Sequence, residues 1–407
     1  MSSPLTKPSR HLAQHFSNVG HLISHLLMLL YPTIVLTLER QFNLGYGELL
    51  ALSVPGAALY GLCALPAGWL GDRWSAEYMM VIFYVGCGLA AILTGLATGP
   101  LGIAIGLTLI GLFGAIYHPV GIAWLVRNAE NHGRALGLNG LFGSIGVGSA
   151  SLVAASLTAF AGWRSAFIIP GAICLGLGAA LWASVRAGAV VATTQDRKPQ
   201  ADPGREAVIR AFFVLSVTML CAGLAWHALT VVMPKLFEQR LPQITEGSTV
   251  MVGAVVTLVF AISAATQLVG GWVADRFSLK WAYVGSWALQ IPLLLTLAYA
   301  WEVPLVITMI LVFCTVVIST PVENALLVRY TPGRWRATAF GAKFVLSMGL
   351  GSLGLPLVAL VHERTGDFFW LFVILSGLAG TIVAIGALLP LDRARGAARS
   401  AVAMPAE

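Results

Sequence analysis

Charge is the scarcest thing in this chain. Only 10% of its 407 residues are Asp, Glu, Lys or Arg, where a soluble domain carries about 25%. What charge there is sits in short stretches between long apolar runs, and 58% of the residues are hydrophobic. A soluble core of this size could not hide that much apolar surface, so the chain is expected to be an integral membrane protein. The net charge of +7 is then no sign of nucleic-acid binding, because excess Lys and Arg in a membrane protein mark cytoplasmic loops.

Other absences narrow the function. The five cysteines (Cys63, Cys87, Cys174, Cys221, Cys314) lie inside apolar runs, with no CxxC and no metal spacing. They read as small buried residues, not as disulfides or ligands. There is no GxSxG, no HExxH (His362-Glu363-Arg364 stops short) and no paired intramembrane aspartates, which removes the usual intramembrane enzyme chemistries. No P-loop is present, which excludes ATP-driven transport within this chain. No signal-peptide cleavage pattern follows the first apolar run, so the first helix is expected to act as an uncleaved insertion signal. No loop is long enough to hold a soluble domain of at least ~50 residues, which weighs against a membrane sensor or assembly protein. No cofactor is expected.

What is present is repetition. Gly68-Trp-Leu-Gly-Asp72-Arg73-Trp-Ser75 nearly recurs as Gly271-Trp-Val-Ala-Asp275-Arg276-Phe-Ser278, 203 residues later. His25 and Pro32 recur as His227 and Pro234, and Pro119 and Val126-Arg127 recur as Pro321 and Val328-Arg329. A multi-spanning unit used twice is a common plan of secondary transporters, with the substrate site between the halves. A bilayer core of ~30 Å takes about 20 apolar residues per helix. Spans are expected near 18–38, 48–70, 77–97, 100–126, 135–160 and 164–187, then near 210–236, 248–274, 280–300, 303–328, 338–361 and 367–390. The expected organisation is an all-α membrane protein of twelve helices in two halves, 1–187 and 210–390. A polar linker at 188–209 joins them, and a disordered tail at 391–407 follows.

Loop charge orients the set. With the N-terminus inside, only Arg40, Arg164, Lys235, Arg240 and Arg364 of the 24 Lys+Arg fall outside, Lys343 lies within a helix, and the rest are cytoplasmic. Both termini are therefore assigned to the cytoplasm, and a bacterial inner membrane is the expected location.

The paired GWLGDRWS and GWVADRFS segments resemble the loop motif of the major facilitator superfamily, Gly-x-x-x-Asp-Arg-x-Gly-Arg/Lys-Arg/Lys, at the places where that family carries it. His132-Gly-Arg134-Ala-Leu-Gly137, followed by Gly162-Trp-Arg164-Ser-Ala-Phe167, is similar to the family's pattern around helix 5. The resemblance implies a two-half fold that moves a small-molecule substrate by alternating access, working as a monomer among membrane lipids. It also implies that Gly68, Asp72 and Arg73, with Gly271, Asp275 and Arg276, latch the cytoplasmic side. In physical terms the glycines let one helix approach another, and the acids can meet a helix N-terminus. A plain topology anchor is the competing reading. The motif glycine is replaced by Ser75 and Ser278, the trailing basic positions are Ala76 and Glu77 in the first copy, and only Lys280 remains in the second. The helix-4 arginine and helix-5 signature of drug/proton antiporters are missing: Leu107 stands in place of the former. Tyr117-His118-Pro119 resembles the Phe-His-Pro-Glu of the fosmidomycin-resistance-like branch, with Val120 in place of the acid.

Candidate site residues come from polar groups inside spans, which are costly and usually functional. Glu323 is the one acid clearly inside a predicted span, and Lys343 lies two turns into the eleventh. They read as a proton-responsive acid and a substrate counter-charge, or as a pair (Glu323 with Lys343 or Arg336) that helps a gate. His21 and His25 share a helix face; His118 and His227 lie on the other helices that the resemblance places around the cavity. Histidine titrates near neutral pH, so His25, His118 or His227 could carry proton coupling; each could equally be a packed polar residue. His21 and His25 have metal-ligand spacing but no third ligand or acid, so metal transport is the minor reading and no metal is assigned. Tyr31, Tyr60, Tyr117, Trp124 and Trp226 could line the cavity, and Thr230, Gln267, Thr315, Ser319 and Asn324 could orient a solute. A proton-coupled transporter of a small organic solute is expected, with efflux favoured over uptake. A uniporter or an organic-anion exchanger are the alternatives.

Overall fold

A computed structural model describes residues 10–129, 132–190, 205–331 and 336–390. The middle of the expected linker (191–204) and the expected tail (391–407) lie outside the described residues. Among the described residues, twelve helices are long and apolar enough to cross a membrane. In the first half they are α1 (His11–Phe42), α2 (Tyr46–Gly71), α3 (Ala76–Gly95), α4 (Pro100–Arg127), α5 (Ala135–Ala161) and α6 (Ser165–Arg186). In the second half they are α7 (Arg205–Arg240), α8 (Thr249–Arg276), α9 (Leu279–Tyr299), α10 (Glu302–Tyr330), α11 (Ala339–Thr365) and α12 (Phe369–Gly386). Short connections make neighbours antiparallel, so one pole of the bundle carries the first and last described residues. That pole is called the terminal pole here, and the other the distal pole.

Packing repeats with the sequence. α1 lies on α5 as α7 lies on α11, α2 on α4 as α8 on α10, and α3 on α6 as α9 on α12. The halves meet where α5 packs on α8, α2 on α11 and α1 on α7. Large apolar side chains stay exposed on α3 (Leu89, Leu93), α6 (Ile169, Ile173) and α9 (Leu289, Leu295), which suits lipid and not water. Exposed tryptophans mark both poles: Trp69, Trp74, Trp272 and Trp281 at the terminal pole, Trp301 and Trp370 at the distal one. Indoles prefer that interfacial depth.

Local chemistry sets the breaks. α1 turns left-handed at Asn43 (φ 51°) and α11 ends at Gly366 (φ 70°), the two residue types that tolerate that backbone best. Ser75 caps α3 by accepting a hydrogen bond from the Tyr78 N–H, as expected of a serine just ahead of a helix. The repeated prolines do not act alike. Pro32 divides α1 after Leu29 and Pro119 sits in a π-helical turn, Tyr117–Gly121, in α4. Pro234 and Pro321 lie inside uninterrupted helical stretches of α7 and α10. A second π-helical turn, Val345–Gly349, interrupts α11. π-turns widen a helix and recur at functional positions.

Two boundaries differ from the expectation. α1 is already helical at Arg10, the first described residue, and does not start near residue 18, because its polar start is turned inward: the Gln14 amide donates to the Asn128 carbonyl (2.8 Å) and the Ser17 hydroxyl to that of Gly121 (2.9 Å). α7 is already helical at Arg205, inside the stretch expected as linker.

The seam between α2 and α11 depends on small residues. A Cβ on Gly61 would fall within 2.6 Å of the Met348 carbonyl carbon and closer still to Gly349. Gly61→Ala is expected to cost about 1–3 kcal/mol by overpacking. The check is apparent Tm in detergent against Gly176→Ala, whose added methyl meets nothing within 4 Å. Equal Tm values in the two variants would mean the seam is loose.

Candidate functional site

The two halves enclose a small cavity of about 60 Å³, room for a handful of waters at ~10–15 Å³ each. His25, Tyr31 and Tyr60 line it from the first half, and Trp226, His227 and Thr230 from the second. His25 and His227 are repeat equivalents, so the duplication brings one histidine from each half to the same space. His227 Nε2 is buried without a hydrogen-bond partner. Tyr31 is held by donating to the Leu49 carbonyl (2.7 Å), and Tyr60 shares a hydrogen bond with Ser24 (2.8 Å).

Behind His25 three histidines come together. One ring nitrogen from each of His21, His25 and His118 lies within 4.8 Å of the other two. His21 and His25 follow from helical spacing, while His118 arrives from α4 on the π-turn at Pro119. His21 Nδ1 faces the Asn139 carbonyl at 2.8 Å, so it must be the donor there. The His21 Nε2 lone pair then accepts from His25 Nε2–H at 3.2 Å. His118 is buried and neither of its ring nitrogens has a partner. Its ring stacks on Phe344 of α11, with centroids 4.9 Å apart and planes at 25°, so this cluster also touches the other half.

Several expected lining residues serve the scaffold instead. Tyr117 stacks on His21 (5.0 Å) and donates to the Ser17 carbonyl (2.9 Å). The Asn139 amide donates to the Tyr117 hydroxyl (2.8 Å) and to Asn18 Oδ1 (3.1 Å), tying α1, α4 and α5 together. Trp124 does not face the cavity: it is fully buried and its indole N–H donates to Glu77 Oε1 (3.1 Å). Thr315 and Ser319 donate to the Val312 and Val316 carbonyls of their own helix, 2.8 Å in both cases. Gln267 lies on the α5–α8 seam, its Nε2 3.6 Å from where a Cβ on Gly140 would be.

Glu323 and Lys343 form an ion pair within the second half, Nζ to Oε1 2.8 Å. Lys343 also donates to Asn324 Oδ1 (2.5 Å), and the Tyr283 hydroxyl donates to Glu323 Oε2 (3.1 Å). Of the two partners considered for Glu323, Lys343 is the one seen; the Arg336 side chain lies outside the described residues.

The repeated loop motif is asymmetric. Gly68 meets Pro119 of α4, whose Cβ would lie 3.0 Å from an added methyl, whereas a methyl on Gly271 meets nothing within 4 Å. The close approach expected at Gly271 occurs one residue earlier: a Cβ on Gly270 would be 2.6 Å from the Ile318 carbonyl of α10. Arg73 stacks over Trp69 (4.3 Å) and Arg276 over Trp272 (5.3 Å), each one turn back on its own helix. Such exposed pairs contribute about 0.5–1 kcal/mol. Asp275 is exposed, and the Asp72 side chain and the side chains of His132 and Arg134 lie outside the described residues.

Hydropathy gave no warning of the distal-pole lock. Lys235 of α7 donates to Glu39 of α1 at 2.7 Å and to Glu238 at 2.8 Å, and Arg40 lies 3.8 Å from Glu238. Tyr46 of α2 donates to the Val231 carbonyl (3.3 Å) and packs its ring on His362 (5.1 Å). The Lys235–Glu39 and Arg40–Glu238 pairs join the halves. Opposite charges at repeat-unrelated positions near the ends of α1 and α7 were the available signal. Arg240 was also missed. Its guanidinium donates to the Leu297 (3.0 Å) and Ala298 (3.2 Å) carbonyls and to Asp367 (2.5 Å), capping the end of α9, where a cation suits the dipole.

Comparison with known proteins adds the following. The sequence profile described as Major Facilitator Superfamily matches residues 19–245 and 215–404. Among curated proteins none matches closely enough to count as a relative. Among solved structures, the chain is similar to a bacterial homologue of the human lysosomal transporter Spinster in its inward-facing, unoccupied form. The TM-score is 0.70 at 15% identity, covering 94% of this chain and 95% of that one. The occupied form of the same homologue gives a TM-score of 0.71 at 14% identity, with the same coverage, 94% and 95%. The outward-facing transporter FucP gives 0.62 at 15% identity, covering 94% and 99%. At these identities the likeness is one of fold.

Proposed function

The chain belongs to the Major Facilitator Superfamily, whose members are membrane transporters and not enzymes, and on that premise we propose that it is a proton-coupled carrier of a small organic solute. The observation that carries this reading is that His25 of the first half and His227 of the second line one cavity. Rocking of the halves changes what each imidazole faces, and histidine is the side chain that gains or loses a proton near neutral pH. Glu323 is a weaker candidate for the coupling group, because Lys343 and Tyr283 already occupy its carboxylate. The same pairing withdraws Lys343 as a free counter-charge and so lends less support to organic-anion exchange. The lining of Tyr31, Tyr60 and Trp226 suits a partly apolar solute. Loop charge supports cytoplasmic termini in a bacterial inner membrane, which makes the distal pole the outer one; reporter fusions at the C-terminus would read periplasmic if this were wrong. Efflux is the favoured direction.

A thermal-shift screen of purified protein at two pH values identifies the solute, and flux in proteoliposomes then tests coupling. An imposed pH gradient is expected to drive accumulation. His25→Gln or His227→Gln should abolish accumulation while leaving solute exchange intact, and the double variant Glu323→Gln/Lys343→Met, which removes both charges of the pair, should leave both. Normal accumulation in both histidine variants and in His118→Gln would move coupling elsewhere or make the protein a uniporter.

A further inference from the structure

The geometry points to a binding site for a borderline divalent transition metal ion, of the Zn²⁺ class, formed by His21, His25 and His118. Two Zn–N bonds of about 2.0–2.1 Å at a tetrahedral angle hold their nitrogens about 3.3–3.4 Å apart. His21 Nε2 and His25 Nε2 stand 3.2 Å apart already, and the ion replaces the hydrogen bond between them once the His25 ring carries its proton on Nδ1. His118 offers a ring nitrogen to the same group, in which one nitrogen from each of the three rings lies within 4.8 Å of the other two, so a movement of the His118 ring closes the set. The outer hydrogen bond is also in place. His21 Nδ1–H is fixed on the Asn139 carbonyl at 2.8 Å, which sets the tautomer and presents Nε2 inward, as carbonyls commonly do behind metal-bound imidazoles.

His118 supplies the independent sign. It is only 9% exposed, and both of its ring nitrogens lack a partner. A buried polar group without a hydrogen bond is uncommon and costly, and a metal ion would use one of those nitrogens. The donor set selects the ion: three imidazoles and no carboxylate suit Zn²⁺, Co²⁺, Ni²⁺ or Cu²⁺, and not Mg²⁺ or Ca²⁺. Three protein ligands leave a fourth position. His25 also lines the cavity, so that position faces the space between the halves. The three ligands are neutral, and a dication among helices is expensive, so an anionic group arriving through the cavity is the preferred fourth ligand. Closing the triad draws His118 along the Phe344 ring of α11, which ties occupancy of the site to the contact between halves.

Binding at this triad does not depend on proton coupling, and the test reads binding alone. Tag-free, chelator-stripped protein in detergent is titrated with Co²⁺ in a non-coordinating buffer, and then with Zn²⁺. One equivalent of Co²⁺ is expected to give the strong visible absorption of four-coordinate cobalt, and Zn²⁺ should displace it. His25→Gln and His118→Gln should each weaken binding by at least about tenfold, while His227→Gln and the double variant His11→Gln/His15→Gln should not. Zn²⁺ should also raise the apparent Tm of the native protein and leave that of His118→Gln unmoved, which separates lost binding from lost folding. Absence of a saturable four-coordinate spectrum overturns the proposal. So does binding that survives His118→Gln but is lost on removing His11 and His15.

Discussion

Lys343→Met is expected to destabilise the protein by about 3–5 kcal/mol, the usual cost of stripping one partner from a buried ion pair. The Glu323 and Lys343 side chains are 10% and 12% exposed and 2.8 Å apart, so neither finds water when the other is removed. Glu323→Gln leaves a cation beside Asn324 and should cost a similar amount. The double variant Glu323→Gln/Lys343→Met removes both charges and should recover most of the loss, since replacing a buried pair by neutral groups is often close to neutral. Apparent Tm across the four proteins of this cycle gives the coupling directly. Single variants as stable as the native chain would mean that water reaches the pair. If the double variant is stable and retains gradient-driven transport, the pair is a brace between α10 and α11 and has no share in coupling.

The second large effect is expected at the distal pole. Lys235→Met leaves Glu39 and Glu238 facing each other without the cation that now holds both, at 2.7 and 2.8 Å. These side chains are 13–25% exposed, so part of the interaction is screened. A loss of about 1–2 kcal/mol remains, a shift of roughly 5–30-fold in the balance between states, towards opening of this pole. In a cysteine-free background, Thr230→Cys lines the cavity. Its labelling by a membrane-impermeant thiol reagent from the distal side should rise by that factor when Lys235→Met is added. Unchanged labelling would show that Tyr46, seated against Val231 and His362, closes the pole without help from the ion pairs.

The sequence carried the architecture further than the site. Twelve apolar runs and the two copies of one motif were enough for the number of spans and the two-half plan, because lipid demands about 20 apolar residues per crossing and duplication leaves matching landmarks. The start of α1 was hidden, since Gln14, Ser17 and Asn18 lower the hydropathy of a segment whose polar groups are spent on α4 and α5. The pairing of His21 with His25 follows from helical spacing. Their meeting with His118 does not, because it depends on where a π-turn at Pro119 aims a side chain from α4. Repetition also misleads where the halves have diverged: Gly271 repeats Gly68 in sequence, yet the close approach in α8 belongs to Gly270. Glu77 looked like a lost basic position of the motif, and its carboxylate instead accepts from Trp124 and Ser75.

Alternating access about the central cavity is tested most directly by distances across both poles in one experiment. Spin labels at Asn43 and Glu246 report the distal pole, and labels at Trp74 and Trp281 the terminal one; all four residues are exposed. Double electron–electron resonance is recorded on the native background and on Lys235→Met, which requires no knowledge of the solute. Rocking of the halves predicts opposite changes: the distal distribution moves to longer distances in Lys235→Met while the terminal distribution moves to shorter ones. Widening at the distal pole with no response at the terminal pole, or single unchanged distributions at both, would contradict it.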